Sequence, residues 1–173
     1  GKPVMTLSLH RAGNGVFVTE KTIACFGMEE IAFVRAEACK ASLRRARICA
    51  HKTNADPLHE MLIALCSDTY VPPHRHAGKS ESFHVVEGRA DVCIFDEQGT
   101  IVEIIPLGDG SHGTKFYYRL RLGLYHTLII YSPVVVILET TNGPFDPTQT
   151  CEAPFAPDKS DAAACRDYLA GLH

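Results

Sequence analysis

The sequence predicts a small all-β protein with minor α: an antiparallel barrel or sandwich carrying an N-terminal helix and a short C-terminal helix. Short runs rich in β-branched and aromatic residues follow one another from Ala46 to Thr140, with turn residues between them at regular intervals. No helical period interrupts that series, which argues against alternating βαβ units. Helical periodicity is confined to the flanks, at Glu29–Arg45 and Asp161–Leu169.

Taken in order, Gly15–Thr19, entered through an Asn14-Gly15 turn, reads as a short strand on a sheet edge or against a second subunit. Glu29–Arg45 reads as a helix, with Glu29 and Glu30 in its first turn and Ile31, Val34, Ala38 and Ala41 as its buried stripe. Arg44, Arg45 and Arg47 read as cations closing its C-terminal end, an anionic-ligand site being the alternative. Residues 46–51 alternate, with Arg47, Cys49 and His51 on one face. His59–Cys66 has a continuous apolar centre and is expected to be covered on both faces. Ala90–Phe95 and Ile101–Leu107 flank a Gly-containing loop as a hairpin. Lys115–Leu120 and His126–Tyr131 are expected to pair next, followed by Val134–Thr140. Residues 144–159 are Pro-rich and mixed-polar, a surface segment, and Ser160 is the expected N-cap of the last helix.

The chain of 173 residues is most simply one domain: residues 1–45 packed on a barrel of residues 46–143, with residues 144–173 as an extension. A hydrophobic fraction of 46% and a charged fraction of 21% are ordinary for a globular protein. A net charge of −3 argues against a nucleic-acid binder, which shows a basic footprint. Seven cysteines form no CxxC pair, and several lie in apolar runs, so free thiols in a reducing compartment are expected. With no secretory signal and no apolar run of about 18 residues, a cytoplasmic protein is expected.

Chemistry concentrates between Tyr70 and Gly88. In an extended chain His74 and His76 project from one face and Arg75 from the other. Ala77-Gly78-Lys79-Ser80 turns the chain back, and Glu81 opens the returning strand beside the histidine pair. Two imidazoles and a carboxylate converging from rigid strands describe a transition-metal site. By the same alternation His84 faces away, towards a packed layer or a dimer contact. His112, in a Gly-rich loop, is left unassigned.

The spacing resembles the first cupin motif, matched by His74, His76, Glu81 and Gly88. Gly123 and His126 are similar to part of the second cupin motif, although Arg121, Ile130 and, upstream, Asp68 depart from the pattern. The wording PPHRH…ESFHVVEGRADVCIFDEQG, ILETTNGPFDP and FAP resembles the WbuC-type cupin-fold metalloproteins of bacterial surface-polysaccharide gene clusters. That resemblance implies a cupin-type jelly roll, His126 as a fourth ligand, and a homodimer. It also makes His51 and Arg47 candidate pocket residues, Arg47 for substrate binding. Tyr118 is a further candidate, as a hydroxyl donor.

Three imidazoles and a carboxylate leave two open positions on a six-coordinate Fe, Mn or Ni ion and nearly saturate Zn. The expected function is metal-dependent chemistry of isomerase, epimerase or lyase type on a sugar or sugar-linked intermediate, with His51 or Tyr118 carrying the proton. An Fe(II)-dependent dioxygenase and a non-catalytic binding or sensing module are the alternatives.

Overall fold

The computed structural model describes residues 7–111, 113–121 and 123–172. The chain opens with β1 (Leu9–Gly13) and β2 (Val16–Thr19), then helix α1 (Met28–Lys40). There follow β3 (Arg45–Cys49), β4 (Leu58–Cys66), β5 (His74–His76), β6 (Glu81–Glu87), β7 (Arg89–Phe95) and β8 (Ile101–Gly108). The last elements are β9 (Tyr117–Leu120), β10 (Tyr125–Ile130), β11 (Val134–Asn142), β12 (Thr150–Glu152) and helix α2 (Ala162–Leu172). One sheet has the order β1-β2-β3-β4-β11-β6-β9 and the other β12-β5-β10-β7-β8. From β4 onward nearly every connection crosses between the sheets, the pattern of a jelly roll. The all-β, jelly-roll expectation with two flanking helices therefore describes the molecule.

Alternation along the strands builds two cores. Leu65, Phe83, Val85, Val92, Leu128, Val135 and Ile137 point inward and fill the space between the sheets. Ile48, Leu62, Ala64, Cys66, Val134 and Val136 point outward and are covered by Ile31, Val34 and Ala38 of α1. Strands β4 and β11 are thus buried on both faces, which accounts for their unbroken apolar runs. The outer face of the second sheet is covered in turn by the C-terminal segment, where Phe155 and Leu172 meet Cys93, Phe95 and Ile129.

Several boundaries and pairings differ from the sequence reading, each for a tertiary reason. Helix α1 ends at Lys40, not Arg45, because Ala41 turns extended and Arg44 adopts φ 57°. Side-chain bonds hold that turn: Asn14 donates to Ser42 Oγ at 2.7 Å, and Thr69 Oγ1 donates to the Leu43 carbonyl at 2.6 Å. The Arg44 guanidinium caps the Cys39 carbonyl and pairs with Asp68, so it closes the helix while Arg45 has already entered β3. Strand β2 is not an edge; β1 covers it on one side and β3 pairs with it in parallel on the other. Strands β9 and β10 do not pair. The former joins β6 and the latter bridges β5 and β7, in opposite sheets. The surface segment contains β12, which pairs with β5. Asp161 caps α2 by accepting from Ala164 N at 3.0 Å, whereas Ser160 bonds Asp158.

Candidate metal centre

Strands β5, β6 and β10 place the site residues. His74 and His76 share the inward face of β5, and Arg75 between them points outward, stacking over Tyr125 and pairing with Glu97. Pairing of His126 with His74 brings the later histidine alongside the first two. Glu81 opens β6 in the facing sheet and reaches across the barrel interior. Gly88 lets β6 turn sharply into β7: at φ +91°, a Cβ there would lie 2.5 Å from Ser132 Oγ and 2.8 Å from the Val134 carbonyl.

His74, His76, Glu81 and His126 each offer one donor atom, and all four donors lie within 4.8 Å of one another. Hydrogen bonding fixes which nitrogen is offered. His74 Nδ1 donates to the Pro72 carbonyl at 2.8 Å and His126 Nδ1 to the Leu124 carbonyl at 2.9 Å. His76 Nδ1 lies 3.0 Å from Thr150 Oγ1, which can accept in the same way. Every Nε2 is then left with its lone pair facing inward. Glu81 Oε1 sits 3.1 Å from His126 Nε2 and Oε2 sits 3.1 Å from His76 Nε2. Lone pairs opposed to carboxylate oxygens need positive charge, either a proton on each ring or one shared cation. Metal–donor bonds of about 2.1 Å put donors at right angles about 3 Å apart, so the two 3.1 Å contacts of Glu81 suit a single ion.

The electrostatics agree. Burial pushes the His74 imidazole down to about 4, with the neighbouring His126 adding to the effect, so this ring is neutral near pH 7. Burial alone would raise Glu81, but the positive charge that its contacts with His126 and His76 call for outweighs it and holds the carboxyl well below the usual range. Glu139, on the adjacent β11, is driven the other way by burial and by the Glu81 charge. That direction favours a protonated carboxyl beside the charged Glu81.

A cavity of about 640 Å³ opens onto His74, His76 and Glu81, with Glu139, Arg45 and Arg47 also on its wall and Phe83, Leu128 and Ile137 as apolar lining. The structure therefore brings Arg47 to the same cavity as the histidines. His51 lies elsewhere, stacked on His59 with ring centroids 4.0 Å apart, in a second hollow with Asp56 and Glu60. Tyr118 is buried beside Phe83, off the cavity wall, and its hydroxyl has no hydrogen-bond partner among the described residues. His84 is exposed on the outer face near Phe116 and is not packed between the sheets. His112 lies outside the described residues.

Sequence reading missed Thr150 and Glu139. Glu139 had a signal: alternation from Val135 and Ile137 puts an acid on the barrel's inner face. Thr150 had none, because only the β12–β5 pairing brings a threonine in a Pro-rich segment next to His76.

A family model described as a domain of unknown function (DUF6016) matches residues 28–107, from α1 to β8, a stretch that contains His74, His76 and Glu81 but ends before His126. No curated protein sequence matches the chain. Among solved structures, oxalate decarboxylase from Bacillus subtilis is similar at 22% identity and TM-score 0.45, over 57% of this chain and 24% of that one. The capsular polysaccharide assembling protein CapF from Staphylococcus aureus is similar at 18% identity and TM-score 0.48, over 62% and 31%. Procruciferin, an 11S globulin from Brassica napus, is similar at 14% identity and TM-score 0.44, over 56% and 22%. This chain thus spans about a quarter to a third of the length of these structures. No described helix is long and apolar enough to cross a membrane.

Proposed function

We propose that the chain is a WbuC-type cupin metalloprotein holding one divalent transition metal (Fe, Mn, Ni or Zn) on His74, His76, Glu81 and His126. In this reading it is an enzyme of isomerase, epimerase or lyase type, acting on a sugar or sugar-linked intermediate of bacterial surface-polysaccharide biosynthesis. The observation that carries it is the convergence of three inward Nε2 atoms and one carboxylate beside a ligand-sized cavity. The donor cluster and the cavity support an enzyme; the polysaccharide setting rests on the sequence resemblance alone.

When bound, such an ion polarises an oxygen of the ligand as a Lewis acid. The chain's own residues do the rest. Carbonyls of Pro72 and Leu124 orient His74 and His126, and Thr150 orients His76. Phe83, Leu128 and Ile137 keep one wall of the cavity dry. Glu139 stands on that wall against Glu81 and is the carboxyl best placed to pass a proton to or from the ligand, more so than Tyr118 or His51.

Incubating metal-loaded protein with nucleotide-linked sugars in D2O tests the reaction class. Deuterium entering a carbon-bound position, read by NMR, supports the proton-transfer reading. Metal-dependent oxygen uptake in its place would assign dioxygenase chemistry, and neither signal would leave a binding or sensing module. The homodimer is part of the same proposal and is read by light scattering.

A further inference from the structure

The three arginines near the end of α1 divide into two roles. Arg44 caps the helix and pairs with Asp68. Arg45 and Arg47 lie two residues apart on β3, opposite Leu65 and Ile63 of β4, and so project from the sheet's inner face. Ala46 between them and Ile48 after them are buried under α1, which fixes that orientation. Both arginines line the cavity that also holds His74, His76 and Glu81.

Neither guanidinium has a carboxylate partner within ion-pair distance among the described residues. Arg47 makes one weak contact, to Met61 Sδ at 3.8 Å. Two like charges side by side, one of them half-buried, repel each other and lose hydration, and burial and Arg47 together pull the Arg45 pKa down. Guanidinium is the side chain best matched to a carboxylate or phosphate, through paired N–H donors. Strand β3 stands three strand spacings from β6, about 14 Å, so the arginines and the metal-site residues face each other across room for a small molecule.

We propose that Arg45 and Arg47 form the anion-binding end of the cavity, so that its ligand is a small acid with a carboxylate or phosphate group held by the arginines and its other oxygens turned to the metal site. This rests on the proposed function for the second contact only. It narrows the substrate to an acidic sugar or a sugar phosphate and disfavours a neutral sugar: a divalent ion less Glu81, plus two guanidiniums, gives the cavity a net positive charge.

Isothermal titration of the full chain with glucuronate, inorganic phosphate and glucose tests this, on metal-loaded and chelator-treated protein in parallel. Glucuronate or phosphate is expected to bind at least tenfold more tightly than glucose. R45Q and R47Q should each weaken that binding at least tenfold, with R45K keeping part of it, and with metal content and melting temperature as in the unaltered protein. Whichever of the two anions binds more tightly assigns the ligand's acidic group. Equal binding of glucose and the anions, or anion binding unchanged in R45Q and R47Q, would overturn the proposal. If the chain holds no metal, anion binding by the chelator-treated protein should still depend on Arg45 and Arg47, which separates failure of this inference from failure of the metal reading.

Discussion

Glu81 Oε1 lies 3.1 Å from His126 Nε2, although the two residues are 45 positions apart and stand on strands of opposite sheets. The contact spans the interior of the barrel, so the two sheets must be in register for the site to exist. Conversely, a cation held there ties the sheets together, and its binding energy adds to the stability of the fold.

Thr150 should tune that cation. Its hydroxyl faces His76 Nδ1 at 3.0 Å and sets which nitrogen the ring presents. T150V is expected to weaken metal affinity about 10–100-fold, as loss of an outer partner of a metal-binding histidine does. Competition with a chelating dye measures this, and a melting temperature within a few degrees of the unaltered metal-free protein shows that the fold is intact.

In metal-free protein His74 should contribute a loss of stability as the pH falls below the ordinary histidine range. The folded His74 pKa is about 4 against an ordinary 6.5, so between those values the unfolded chain takes up a proton that the folded one refuses. The His74 contribution is flat above about pH 6.5 and declines towards pH 4, by up to about 3 kcal/mol before screening by cavity water. Glu139, raised in the folded state, contributes the opposite slope, its stabilisation being lost as the pH rises above the ordinary carboxylate range. Glu81, held low in the folded state, adds a second decline below the ordinary carboxylate range. Urea unfolding of the unaltered chain and of H74A at successive pH values checks it: the difference between the two curves should carry the decline between about pH 6.5 and 4.

The packing of α1 should be separable from the site. Ile48 is fully buried beneath the helix and points away from the cavity. I48A is expected to cost about 2–5 kcal/mol by denaturant unfolding while leaving metal stoichiometry unchanged.

At Gly88 the cost is in the backbone. G88A would force a side chain into a left-handed conformation against the Val134 carbonyl, destabilising by about 1–3 kcal/mol or more. A lowered melting temperature measures it.

What could be read in advance follows the range of the physics involved. Alternation is local, so the inward pair His74 and His76, the outward Arg75 and the two-faced burial of β4 were legible from period and composition. Glu81 followed from one turn. Pairing between distant strands is not local: β9 and β10 adjoin in sequence yet lie in different sheets, and β12 looked like loop because β5, its partner among the described residues, is far away in sequence. The end of α1 was misjudged for a similar reason. Arg44 and Arg45 have good helical propensity, but Thr69, Asn14 and Asp68 hold residues 42–44 in a turn. That turn separates the arginine that caps the helix from the two that face the cavity.

Metal content of the purified chain, with H74A and H76A alongside, tests the central claim most directly. Elemental analysis of protein isolated without a metal-affinity tag should find about one divalent transition-metal ion per chain, lost or reduced to trace in both variants while their strand signature by circular dichroism persists. Protein that carries no such ion and takes up none on dialysis, or variants that hold it as tightly as the unaltered chain, would contradict the account.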